Sequence, residues 1–334
     1  MNLEIRKLDY YLPERIETND FLEKENPKWK LDKVTKKSGV FQRHIADAKE
    51  TAYDLSLEAC KRVLQDYDKT LIQGIIYCTQ SPDFIMPSNA FLLHKDLELG
   101  EEVFAFDFNH ACTGYIYSLV IANSFIKSSM ANSILLVNAD TYSKYINKKD
   151  RSTRVLFGDA AAVTIVEATN NSKGIIDYEL ASSGKNFDKF WIPSGGLRQP
   201  KSESTSNEME DHMGNIKSSE NISMDGLGVW SFINSVVPNQ IQNLLDRNQI
   251  SMKEVDQIIF HQASLMTLES IINSMGLDKE KVFVNIGNVG NTVSSSIPIA
   301  LKDALDQGRV SKGSKIILSG FGVGLAYGSI LMEL

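Results

Sequence analysis

Cys112, His261 and the loop around Asn291 are the positions where this 334-residue chain is best placed to do chemistry. Cys112 follows the apolar run VFAFDFN and precedes TGYIYSLVIANSFI, so it stands where a strand gives way to a helix. Unpaired amide N–H groups and the positive end of the helix dipole at such a start favour a thiolate, the form that attacks an acyl carbon. An isolated cysteine is also a small buried hydrophobe; Cys60, on a helix face, and Cys78, inside a strand, fit that description. His261 follows the apolar strand QIIF and opens a polar turn before another helix, which puts its imidazole at a strand carboxyl end as a base or hydrogen-bond donor. His110, two residues from Cys112, competes for that role but reads as a loop histidine turned to the opposite side, and His44, His94 and His212 lie in surface or loop segments. In GNVGNTVSSS, residues 287–296, glycines and asparagines lead through small hydroxyl residues into a helix with Pro298 near its first turn. That loop is either a tight connection or the means of pointing the Asn291 amide at Cys112.

Such residues need elements to position them, and the chain supplies these twice. A weak internal repeat has a period of about 180 residues, with IIYCTQS from Ile75 matching IIFHQAS from Ile258. Each copy follows an amphipathic helical segment, Asp54 to Tyr67 and Phe232 to Asn248, and reads as a buried strand because its β-branched apolar residues do not alternate with polar ones. VFAFDFNHACTG, an apolar-periodic segment and ILLVNAD continue the first copy; VFVNIGNVGNTVSSS, SIPIALKDAL and KIILSGFG continue the second. The order strand, loop, helix, strand predicts parallel sheets covered by helices, with ligands gathered beyond the strand carboxyl ends. Equivalent loops then meet about a pseudo-twofold axis, Asn291 opposite Cys112. The expected halves are 1–172, with the cysteine, and 173–334, with the histidine and asparagine. Residues 197–223, rich in Ser, Glu, Asn and Lys, read as a long exposed loop. The run SGFGVGLAYGS allows close backbone approach to a ligand, and it is not a dinucleotide fingerprint because it precedes a terminal strand instead of opening a helix.

A formal charge of −7 disfavours nucleic acid as a partner. Two basic clusters stand out against it, Lys30, Lys33, Lys36, Lys37 and Arg43, then Lys144, Lys148, Lys149, Arg151 and Arg154, each either a solvated face or a local anion patch. The cysteines form neither a disulfide framework nor a CxxC metal pattern, no run of about 18 apolar residues appears, and MNLEIRKLDYYLP lacks a signal-peptide core. The expectation is a cytoplasmic protein without metal, cofactor or membrane insertion.

ACTG around Cys112, HQA from His261, GNT from Gly290, FGD from Phe157 and GFGVG from Gly320, with YYLPERIETN and SGVFQRHIA nearer the start, together resemble the ketoacyl synthase III family of the thiolase superfamily. The resemblance spans essentially the whole chain. It implies an α/β thiolase fold, a duplicated five-layered αβαβα architecture, and a homodimer. It also implies that Cys112 is S-acylated by a coenzyme A or carrier-protein thioester, with His261 and Asn291 stabilising the enolate of a malonyl-type thioester, and with the N–H groups of Cys112 and Val323 as oxyanion hole. Lys33, Lys37, Arg151, Gly226, Ser264 and Phe321 are the implied substrate contacts, and Met86 falls near the family's pocket-gating position.

The departures from that pattern are specific. Lys33 and Lys37 stand where fatty-acid initiators have a tryptophan and an arginine, and Ser264 stands for an asparagine. The helix after HQA has Met266, Asn273 and Ser274 in place of three carrier-docking cations, and adds Glu269. The retained set of Cys112, His261 and Asn291 implies decarboxylative condensation, and these changes with the Ser-rich loop point to a specialised pathway. Two alternatives are acyl transfer from Cys112 to a hydroxyl or amine, against which Asn291 argues, and a non-catalytic synthase subunit, against which Cys112 argues.

Overall fold

Two apolar faces on each central strand explain why those strands read as unbroken apolar runs. In Gly74–Cys78, Ile75 and Tyr77 point into one core while Ile76 points into another; in Gln257–Phe260, Ile258 and Phe260 part company with Ile259 in the same way. The computed structural model describes residues 1–170 and 173–334. Strands β1 (Asn2–Tyr11), β2 (Gly74–Cys78), β3 (Phe104–Phe108), β4 (Ser133–Asp140) and β5 (Ala160–Thr169) make a five-stranded sheet in the order β1-β5-β4-β2-β3. Strands β6 (Gly174–Ser182), β7 (Gln257–Phe260), β8 (Lys315–Gly322) and β9 (Ala326–Glu333) make a second, ordered β7-β8-β9-β6. A single bridge from Ile258 to Val282 occupies the place that β3 has in the first sheet.

Helices fill three layers around the sheets. Helix α1 (Asp32–Ser38) lies to one side. Helices α2 (Ala52–Leu64), started by a Thr51/Asp54 capping box, and α3 (Asn89–Asp96) cover the outer face of the first sheet. Helix α4 (Gly114–Lys127) lies between the sheets with its counterpart α7 (Ser296–Asp306), through Tyr115, Ile116, Leu119, Ile297, Ala300 and Leu301. Helices α5 (Gly226–Arg247) and α6 (Leu265–Met275) close the outer face of the second sheet. The result is five layers, αβαβα.

Four expectations need correcting or bounding. The sheets are mixed: β2 runs parallel to β3 and β4, and β7 to β8, but β5 lies antiparallel between β1 and β4, and β9 between β8 and β6. The three residues Val323–Leu325 between β8 and β9 are too short for a crossover, so that pair is antiparallel. Residues 197–223 carry a helical turn, Glu203–Ser206, and a short ladder, Met209–Glu210 with Ile216–Lys217. Polar side chains tie this segment down, with Lys149 on Glu208 at 2.8 Å and Thr205 donating to Glu220 at 2.7 Å. Arg43 and Arg154 leave the surface clusters: Arg43 is fully buried, donating to Glu17 O and Val155 O, and Arg154 is buried against Glu17 and Glu25. The boundary expected at 172 falls outside the described residues. Among the described residues no helix is long and apolar enough to cross a membrane, and no group of three His, Cys, Asp or Glu side chains is set to hold a metal ion.

Candidate active site

Cys112 sits in the turn that starts α4, where Gly114 N–H closes on Ala111 O at 2.7 Å. It is 3% exposed. The glycines of β8 let the second half come this close: at Gly322, with φ of +154°, a Cβ would lie 2.7 Å from the cysteine sulfur. Burial pushes the Cys112 thiol up to about 12, and the Val323 N–H pulls against it. Burial therefore opposes the thiolate that the helix start and the Val323 N–H favour.

His261 follows β7 and anchors to β8 through its N–H, which donates to Ser319 O at 2.8 Å. Its Nδ1 is 2.5 Å from the Ser296 hydroxyl at the start of α7, and its ring meets Phe321 edge-on at 5.7 Å. Burial lowers its pKa to about 3, so the imidazole is neutral and its Nε2 is left for the cavity. Asn291 is clamped at its backbone, N–H to Leu156 O at 2.8 Å and O from Gly158 N–H at 3.0 Å. Its Oδ1 accepts from Val293 N–H at 3.0 Å, which leaves the amide NH₂ as the end free for a ligand, with only a long 3.5 Å contact to Ala263 O.

Cys112, His261 and Asn291 line one cavity of about 180 Å³, together with Gly226, Ser264 and Phe321. Leu156, Ser264 and Met266 are shared with an outer cavity of about 350 Å³ lined by Lys33, Lys37 and Arg151, so the cavity holding the sulfur adjoins the one holding the lysines. A third cavity, about 370 Å³, lies beyond Phe190 and is lined by Val323, Tyr142 and Trp191. Met86 lines none of these three and is 80% exposed, so the single chain does not bring it to the site. His110 is turned away, its Nδ1 on Thr113 Oγ1 at 2.7 Å and its ring 4.2 Å from that of Tyr117. Cys60 and Cys78 are buried, and burial raises both thiols.

Three contributors escaped the reading of the sequence. Ser296 was visible only as the last of three serines. Asp140, at the end of β4, accepts from Ser294 Oγ–H at 2.6 Å and Gln80 N–H at 2.8 Å, tying the first half to the Asn291 loop; burial raises its carboxyl to about 7. Trp230 lines the inner cavity, and its buried Nε1–H has no partner among the described residues.

The same architecture and motifs recur in known proteins. Residues 106–184 match the family model described as 3-oxoacyl-[acyl-carrier-protein (ACP)] synthase III, and residues 245–334 match that for its C-terminal part. The chain is 34% identical over 328 residues to the beta-ketoacyl-[acyl-carrier-protein] synthase III of Caldanaerobacter subterraneus subsp. tengcongensis, covering 97% of this chain and 95% of that one. It is 32% identical over 338 residues to the protein of the same name from Fusobacterium nucleatum subsp. nucleatum, covering 99% and 98%. A crystal structure of a 3-oxoacyl-(acyl-carrier-protein) synthase III is similar to it over all of both chains, with a TM-score of 0.98 and 32% identity.

Proposed function

Because the chain belongs to the 3-oxoacyl-[acyl-carrier-protein] synthase III family, we propose that it transfers an acyl group to Cys112 and condenses it with a malonyl thioester, in a specialised pathway of the cytoplasm. The observation that carries this reading is the single cavity shared by Cys112, His261 and Asn291. In the first stage the sulfur attacks the acyl carbonyl carbon while its proton passes to His261 Nε2. The tetrahedral oxyanion takes the N–H groups of Cys112 and Val323, and the departing coenzyme A or carrier thiolate recovers the proton from His261. In the second stage carbon dioxide leaves the malonyl group, and its bonding electrons become an enolate held by the Asn291 amide and His261 Nε2–H. The enolate carbon attacks the acyl carbonyl, and the carbon–sulfur bond breaks to release Cys112 as a thiolate, which takes up one proton from solvent.

His261 thus accepts at Nε2 in one stage and donates there in the other. Ser296 fits both tautomers, since a hydroxyl can either accept from Nδ1–H or donate to bare Nδ1. Lys33, Lys37 and Arg151 suit the phosphates of a coenzyme A or phosphopantetheine arm at the mouth, and Gly226, Ser264 and Phe321 line its path. The specialised pathway rests on α6, whose exposed residues include Met266, Glu269, Asn273 and Ser274 and no cation. The working form is a homodimer joined along β3. Intact-mass spectrometry tests the reading: a panel of acyl thioesters should add one acyl group to the wild type and none to Cys112→Ala, and a malonyl thioester should then discharge it. Acylation that persists in Cys112→Ala would refute it.

A further inference from the structure

The outer cavity opens between two helices of opposite electrical character. Gly39, which ends α1, lies so close to α6 that a Cβ there would sit 2.7 Å from the Leu265 Cβ, so the two helices form adjoining rims of one mouth. The α6 rim shows Met266, Glu269, Asn273 and Ser274 to solvent. The α1 rim shows Lys28, Lys30, Lys33, Lys36 and Lys37, all exposed, with Asp32 the only acid between residues 28 and 37. None of these lysines has an ion-pair or hydrogen-bond partner among the described residues. In a chain of formal charge −7, five unneutralised cations within ten residues form a concentrated positive field at the entrance to the nucleophile.

The geometry points to α1 and the turn before it as the docking surface for an acidic carrier protein bearing the malonyl thioester. The inference rests on the condensation reading above. Lys33 and Lys37 line the mouth, where they face the arm that enters it, whereas Lys30 and Lys36 are exposed but do not line it. A small thioester reaching Cys112 has no use for Lys30 and Lys36. A folded acidic partner that spans the rim meets all five lysines, and charge complementarity there raises its association rate and lowers its KM.

The test uses the double variant Lys30→Glu/Lys36→Glu in the full chain, acylated with an uncharged acyl-N-acetylcysteamine thioester. Its second substrate is either malonyl-pantetheine or a malonyl-loaded bacterial acyl carrier protein. KM for the carrier should rise at least about tenfold, with a weaker dependence on salt than the wild type shows, while kcat and the KM for malonyl-pantetheine stay within about twofold. An unchanged KM for the carrier overturns the inference, and so does an equal rise for malonyl-pantetheine. Failure of the parent reading looks different: the wild type itself then forms no carbon–carbon bond with malonyl-pantetheine.

Discussion

His261 is buried in the cavity that also holds the Cys112 thiol, its Nδ1 on the Ser296 hydroxyl, and among the described residues no carboxylate is bonded to its ring. Its folded-state pKa of about 3 lies below the ordinary 6.5, because burial penalises the imidazolium. Between these values an unfolded chain takes up a proton that the folded chain does not, so stability is lost as pH falls from about 6.5 towards 3. His261→Gln should flatten the acid limb of the stability curve in urea unfolding at a series of pH values. An unchanged acid limb would show that the imidazole is already charged in the folded protein. Cys112 is governed by the same physics, since burial opposes the ionisation of its thiol.

Among the described residues strand β3 has a neighbour on one side only, β2, and its Phe104, Phe106 and Phe108 are half-buried. An unpaired, aromatic edge of five residues invites pairing with a second copy about a twofold axis. Light scattering of the wild type at micromolar concentration should give twice the chain mass, and Phe106→Lys should shift it towards the monomer; a wild-type monomer would contradict the homodimer. The element scale is also where the sequence was most readable. Runs such as ILLVNAD and KIILSGFG coincide with β4 and β8 because each strand is covered on both faces. VFVNIG, the counterpart of the β3 segment, gives only a bridge. Its pairing stops after Phe283, where Gln262 Oε1 takes the Asn285 N–H and the chain turns into Ile286–Val289. Strand direction was not readable, since parallel and antiparallel strands buried on both faces have the same apolar pattern. Ser296, Asp140 and Trp230 were hidden for a different reason: each acquires its role from residues that only the folded chain brings near.

The candidate site lies at a seam between the two sheets. Cys112 comes from the first half, His261 and Asn291 from the second, and Asp140 to Ser294 and Leu156 to Asn291 are hydrogen bonds across it. The internal repeat made this meeting of loops legible from the sequence, including the pairing of Asn291 with Cys112. It could not show that the sulfur would be buried or that the lysines would gather on one rim, because both depend on the packed surface rather than on chain order. The condensation proposed above runs in two stages at this seam, of which the second alone needs the Asn291 amide. Removing one donor from a preorganised anion site costs about 100- to 1,000-fold in rate. The deciding measurement follows Asn291→Ala by two readouts, acyl-Cys112 formation by intact mass and carbon dioxide release from a malonyl thioester. Acylation should proceed at nearly the wild-type rate while carbon dioxide release falls by about 100-fold or more. If Asn291→Ala turns over at the wild-type rate with acyl-Cys112 forming normally, decarboxylative condensation is wrong, and acyl transfer from Cys112 to a hydroxyl or amine takes its place.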